Sequence, residues 1–588
     1  MSFFTFLSKR NGPCILIFVL WVSFIWGGIL HAQTATNAAS PVASAIETNA
    51  APANVTITLT NTPGEAAATN TPPVAPPASV TTPVENPAPV FTSSLPAKDT
   101  NELSKTTFVG RAVEPPVFGS LLVLLSVIGF LFYQCGLARA KNCGHTSALL
   151  LVGLVFGLIG YWAGGFAVQM GGIGDAHAAL IDPDLAAQKP GLDHELGVRL
   201  LGHPWGFMGS AGFFLIADET NRSGMASLFL AQAALLALAV AAALGAALER
   251  GRLLAMAIVA FLAGAVIYPL FANWVWGGGW LAELGRESGL GHGFVDLAGA
   301  GVIHEAAGTL ALVIAVTLGP RYGKFGRNHS INAIPGHNMP FLFLGTLVLL
   351  VSWTALNAFA YAAPAIAPEM PRSSAGIAAV NALLGAAGGF LASFLLAAKR
   401  KQAPQPALLC RGLLGGTVSV FACAALIDPW AAFVIGLVAG GIVQFAFNRV
   451  EQRRIDDPAG AISVHGAAGA WGVLAAGLFA NGTAGDGING VTGPVRGLLI
   501  TGDWHQLVAQ IGGGVTCFVI VFILGYACLS LIQKILGNRV ELADEVHGLD
   551  WTQTGALGYQ GDIEPEELPR GESDKEKAIP QDKAPAAK

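Results

Sequence analysis

Charge is what this chain most lacks. Only 12% of its 588 residues are Asp, Glu, Lys or Arg, against roughly 25% in ordinary soluble domains. With 53% hydrophobic residues and a mean hydropathy of +0.57, that scarcity excludes a soluble fold and implies a polytopic membrane protein. Cysteine is also sparse. Cys14, Cys135, Cys143, Cys410, Cys423, Cys517 and Cys528 are scattered and form no Cys-x-x-Cys pair, so neither a zinc site nor a disulfide framework is indicated. Most of them read as small packing residues in apolar runs. No nucleophile, phosphate loop or metal cluster accompanies the chain's histidines, which argues against an enzyme. Neither a cofactor nor a nucleic-acid partner is expected. The net charge of −5 decides little, because placement outweighs the sum in a membrane protein.

Aromatic residues are almost missing from one long stretch, which divides the chain. Residues 1–33 read as a signal peptide: Lys9 and Arg10 precede an apolar run from Cys14 to Leu30, with Leu30-His31-Ala32 before a cleavage point. An uncleaved anchor is the alternative. Residues 34–115, rich in Ala, Thr, Pro and Asn, cannot bury enough apolar surface to offset their ordering entropy and read as a disordered extracytoplasmic linker. Residues 116–536 form the transmembrane domain. Residues 537–588 make a cytoplasmic tail, charged and Pro-containing from 563 onward.

Apolar segments near the roughly 20 residues that span a bilayer fall at 118–137, 145–170, 225–248, 252–274, 296–318, 339–361, 374–398, 406–427, 430–448, 459–481 and 507–535. The expected fold is therefore all-α with eleven transmembrane helices. The 406–427 segment is the weakest, with Arg411 near its start. Basic residues cluster after alternate segments: Arg139 and Lys141, Arg250 and Arg252, Arg321, Lys324 and Arg327, Lys399 to Lys401, and Arg449, Arg453 and Arg454. The positive-inside rule then sets the core's N-terminus out and the C-terminus in, in agreement with the secretory signal. A bacterial inner membrane is compatible with these features.

One motif occurs twice. DLAGAGVIHEAAG runs from Asp296 through His304 to Gly308, and DPAGAISVHGAAG from Asp457 through His465 to Gly469. An intramembrane histidine is a functional-site hypothesis by default. The two copies fall on helices 5 and 10, so two five-helix halves of opposite topology form an inverted repeat, with helix 11 left over. The two histidines are expected to meet at mid-membrane, where secondary transporters place their path. Asp296 is expected to cap helix 5 or to serve the site, and Asp457 to cap helix 10. A metal site from His304, His465 and Glu305 is disfavoured, because adjacent helical residues diverge by about 100°.

Over essentially residues 116–562 the motifs resemble the ammonium transporter (Amt/Rh) family. Gly136 to Asn142 (GLARAKN) is similar to its GLxRxKN, Trp276 to Leu281 to its WGGGWL, and Pro335 to Pro340 (PGHNMP) to its PHNLP. Trp353 to Ala358 (WTALNA) resembles WFGFNAG, Asp456 to Gly466 resembles DDPxxxxxVHG, and Gly537 to Asp550 resembles the tail GxRVxxxxExxGLD. The resemblance implies a homotrimer in the lipid bilayer, with one hydrophobic pore per subunit. Ammonium would be recruited at an outer vestibule by Trp276 and Asp296, then pass as ammonia along the twin histidines His304 and His465. Gln232, Trp353 and Asn357 are the pore-adjacent positions. A PII-type regulatory protein is a possible partner at the cytoplasmic face.

The chain departs from the family at several positions. Leu235 and Leu356 stand at the two outer-gate positions where the family has stacked phenylalanines. Ala360 replaces a serine that helps bind ammonium, and Gln134 replaces a common glutamate. Thr554 and Ala556 stand where the tail often has His and Glu. Leucine can seal a pore but offers no π face, and Ala360 offers no hydroxyl, so weaker cation binding is expected. The leading expectation is ammonium transport. An ammonium sensor on the same scaffold, or a neutral channel for ammonia or carbon dioxide, are the alternatives.

Overall fold

The computed structural model describes residues 100–559 apart from 174–191, 193, 201, 217–221, 329, 363–373 and 402. The expected signal peptide, most of the linker and the last part of the tail lie outside the described residues. Of residues 26–107 only Thr100–Thr107, the start of the first helix, is described.

Each apolar run becomes a helix because a helix satisfies its own backbone amides where no water can. Among the described residues, ten helices are long and apolar enough to cross a membrane. In chain order the helices are α1 (Thr100–Leu137), α2 (Ala140–Met170) and α3 (Gly224–Ala247). Next come α4, built from Leu253–Leu262, a π-turn Ala263–Ile267 and Tyr268–Trp276, and the short α5 (Trp280–Ser288). Then follow α6 (Ala300–Leu318), α7 (Met339–Ala362), α8 (Ser374–Lys399), α9 (Pro406–Val418) and α10 (Pro429–Gln452). The chain ends in α11 (Ile462–Phe479), α12 (His505–Ile535) and a tail helix, α13 (Leu542–His547). Small residues let the rods approach closely. A Cβ at Gly436 of α10 would lie 2.0 Å from the Gly385 carbonyl oxygen of α8.

Two expectations are revised. The segment expected as a helix over 406–427 is α9, only 13 residues long, followed by turns over 419–426. Its freed carbonyls are taken up by protein. Asn381 Nδ2 of α8 donates to Ala424 O (2.7 Å) and Ile427 O (2.9 Å), and Ala298 N donates to Phe421 O (3.0 Å). Non-helical backbone is tolerated at membrane depth when it is enclosed in this way. The second revision is an antiparallel hairpin, β1 (Glu195–Leu200) and β2 (His203–Gly209), between α2 and α3 where no strand was expected. It is tied down by Trp274 Nε1 donating to Phe207 O (2.8 Å) and Gly206 N donating to Glu283 (3.2 Å).

The basic loops gather on one face around buried carboxylates. Glu249 pairs with Arg321 (2.8 Å) and Arg139 (3.0 Å), while Asp456 pairs with Arg321 (2.8 Å) and lies 3.8 Å from Arg250. Burial by itself would raise the Glu249 carboxyl, but Arg321 and Arg139 overcome it and hold the group at about 2. Asp456 is likewise held well below the usual carboxylate range, Arg321 and Arg250 outweighing burial. The tail docks on this face. Glu545 of α13 accepts from Tyr322 N (2.6 Å) and pairs with Arg539 (2.7 Å), and Asp550 accepts from His145 N (2.8 Å).

Candidate functional site

The duplicated motif builds two matching helix starts. In the first, Asp296 Oδ1 accepts from Gly299 N (3.0 Å) and Ala300 N (2.8 Å), and Oδ2 from Gly301 N (2.9 Å) and Val302 N (2.8 Å). In the second, Asp457 Oδ1 and Oδ2 accept from Ala461 N (2.9 Å) and Ile462 N (2.8 Å). Helix N-termini leave their first amides without intrahelical partners, and both aspartates supply them. Each helix then opens with a π-turn, Ala300–Glu305 or Ile462–Ala467. A glycine at positive φ stands three residues after each aspartate, Gly299 at 96° and Gly460 at 72°, where a side chain would be strained. The fixed spacing from aspartate to histidine thus has a local cause: a cap, a left-handed residue and one π-turn.

The C-terminal glycine of each copy lies where the two helices cross. A Cβ at Gly308 would stand 2.0 Å from Gly466 N, and one at Gly469 would stand 2.6 Å from Ala300 O. That approach brings His304 Nδ1 within 2.8 Å of His465 Nδ1, with the rings 5.0 Å apart and inclined by 9°. Both are buried, at 0% and 4% exposure. An Nδ1–Nδ1 hydrogen bond between neutral imidazoles requires one donor and one acceptor. One ring then carries its proton on Nδ1 and the other on Nε2, so the pair offers an acceptor at one Nε2 and a donor at the other. His304 Nε2 has no protein partner.

Aromatic rings wall the pair. Trp353 of α7 packs 5.0 Å from His304 and 5.8 Å from His465. Phe421 lies 4.8 Å from His304, and Phe130 of α1 lies 5.7 Å from His465. The sequence marks Trp353 but neither phenylalanine. Phe421 comes from the turn after α9, which looked like regular helix, and Phe130 belongs to an unbroken apolar run, so neither carried a signal.

The other named residues lie on α1, α3, α4 and α7. Trp276, at the end of α4, is 7% exposed, and its Nε1 donates to Asp296 O (2.7 Å). Gln232 of α3 accepts from Gln169 Nε2 (2.8 Å), whose Oε1 in turn accepts from Tyr161 OH (2.8 Å). Asn357 Nδ2 donates to Trp353 O (2.9 Å). Leu235 and Leu356 are buried on α3 and α7, at 3% and 2% exposure, and Ala360 lies near the end of α7. Gln134 Nε2 donates to Ala241 O (2.8 Å).

Fold and site together define a polytopic helical membrane protein with a hydrogen-bonded histidine pair, enclosed by aromatic rings, between two pseudo-equivalent helices. Known proteins give this class a family. The family model described as Ammonium Transporter Family matches residues 117–559, and the chain belongs to that family. Ammonium transporter Amt2 of Archaeoglobus fulgidus is 32% identical over 74% of this chain and 86% of its own length. Ammonium transporter 1 member 3 of Solanum lycopersicum is 28% identical over 76% and 93%. Among solved structures, one titled Sensor Amt Protein matches with a TM-score of 0.63 at 24% identity, covering 76% of this chain and all of that one. Candida albicans Mep2 matches at 0.58 and 23%, covering 78% and 92%. At these identities the two structures speak for the fold alone.

Proposed function

We propose that the protein transports ammonium across a membrane, taking it up at an outer vestibule and conducting ammonia past His304 and His465. The observation that carries this reading is the 2.8 Å contact between two buried imidazoles inside an aromatic box. A neutral amine in a dry passage needs one donor and one acceptor, and the pair offers both. A cation arriving from water is drawn to an indole face by about 0.5–2 kcal/mol as it desolvates, the role assigned to Trp276. Asp296 contributes by holding α6 and its turn in place. Leu235 and Leu356 close the passage without a π face, and Ala360 adds no hydroxyl, so the reading includes low affinity for the cation. The working form is a homotrimer in an inner membrane, N-terminus out and C-terminus in, with the tail face open to a PII-type regulator.

Ammonium-evoked current in proteoliposomes, compared between the native chain, His304→Ala and His465→Ala, tests this. A saturable current lost in either variant is the expected outcome. No current, but ammonia-driven alkalinisation of the lumen, replaces the reading with a neutral channel. Silence in both assays from a folded native chain overturns transport altogether and leaves a sensor.

A further inference from the structure

Glu305 stands one peptide bond from His304 and takes no part in the site just described. It lies on the membrane-spanning α6, is 5% exposed, and its Oε2 is buried without a hydrogen-bond partner. A carboxyl in that state costs several kcal/mol if charged and about 1–3 kcal/mol if neutral and unsatisfied. Intramembrane ionisable groups kept at such cost mark ion or proton paths.

The surroundings leave Glu305 Oε2 without a partner. Asp296 gives both its oxygens to the amides of α6, and Cys517 Sγ of α12 donates to Gly301 O (3.6 Å). His304 turns instead to His465 on α11. The Glu305 carboxyl faces α12, where it meets Gly514. A Cβ at that position would lie 3.5 Å from Oε2 and 3.7 Å from Oε1, so glycine leaves space at the carboxyl that a larger residue would fill. Two titratable side chains in succession therefore address different helices, one toward the histidine pair and one away from it.

We propose that Glu305 is a second proton-holding position, which carries the proton released by ammonium on the α12 side of α6 while ammonia passes the histidine pair. The inference rests on the transport reading above. In balance, an N–H bond of ammonium breaks, its electron pair stays on ammonia, and the proton bonds to a Glu305 carboxylate oxygen. That O–H bond breaks again when the proton is released on the far side, where it rejoins ammonia. A carboxyl suits the task because its loaded form is neutral and tolerated in a low dielectric.

The test measures ammonium-evoked current and ammonia-driven alkalinisation side by side in proteoliposomes of native protein, Glu305→Gln, Glu305→Asp and Gly514→Val. The expected result is loss of current in Glu305→Gln and Gly514→Val with alkalinisation kept, and both signals kept in Glu305→Asp. Unchanged current in Glu305→Gln overturns the proposal, as does joint loss of both signals in folded Glu305→Gln, or a native chain that alkalinises without current. A native chain silent in both assays sinks the transport reading itself. If Glu305→Gln does not fold, the infrared C=O stretch of native protein against Glu305→Asp decides. A carboxylic band that responds to ammonium and shifts in the variant supports the proposal, and an unresponsive one overturns it.

Discussion

Asp296 spends both carboxylate oxygens on four successive backbone amides, which makes it first a positioning residue for His304. Asp296→Ala leaves those amides buried and unpaired, at about 1–3 kcal/mol each, and is expected to yield no monodisperse folded protein in detergent. Asp296→Asn still accepts with one oxygen and is expected to fold with a lowered Tm. A folded Asp296→Ala with native Tm contradicts the capping account. The sequence had left Asp296 open between cap and ligand site, because both roles place a carboxylate at a helix start. Only the hydrogen-bond geometry separates them. The two histidines were legible, since polar groups duplicated in apolar runs stand out by themselves. Phe130 and Phe421 were not, since an apolar residue in an apolar run carries no mark of what it touches.

At the scale of elements, the crossing of α6 and α11 sets the histidine distance. Gly308→Ala would place a methyl 2.0 Å from Gly466 N, forcing the helices apart at the cost of about 1–3 kcal/mol. The expected outcome is a lower Tm in detergent together with loss of ammonium-evoked transport, whereas Gly512→Ala, which meets nothing within 4 Å, changes neither. Equal behaviour of the two variants would show that the crossing does not control the pair. Helix existence was readable from hydropathy over nearly the whole core. The end of α9 was not. The run from Ser419 to Ile427 is as apolar as any helix here, and hydropathy reports burial, not which partners its carbonyls find. Asn381 on α8 and the amide of Ala298 supply those partners, and both are remote in sequence.

At the scale of the molecule, four inter-helix loops meet where buried Glu249, Arg250, Arg321 and Asp456 join half-buried Arg139. Its carboxylates titrate lower in the folded chain than in the unfolded one, so the unfolded state binds more protons on acidification. Their stabilisation is complete above the ordinary carboxyl value, 4.5 for Glu249, and is lost as pH falls toward about 2. Tm in detergent is expected to decline across that window, and Glu249→Gln, already less stable at neutral pH, is expected to decline less. A parallel decline in both proteins assigns acid sensitivity elsewhere. The count and alternation of the basic residues are legible in the loops. That they converge on Glu249 and Asp456 is not, because the partners lie in separate loops, 72 residues apart for Glu249–Arg321 and 206 for Arg250–Asp456.

What the sequence alone determined is the class of molecule and its internal duplication. Low charge, apolar runs of bilayer length and two copies of one Asp-to-His motif are local properties, governed by solvation and by the geometry of a single helix. What only the tertiary structure decided is the Nδ1-to-Nδ1 contact by which His304 meets His465, the aromatic wall around them, the break after α9 and the separate direction of Glu305. Each depends on how two helices distant in the chain pack, and packing is set by close approach at a few glycines and by carbonyls that find donors across the fold.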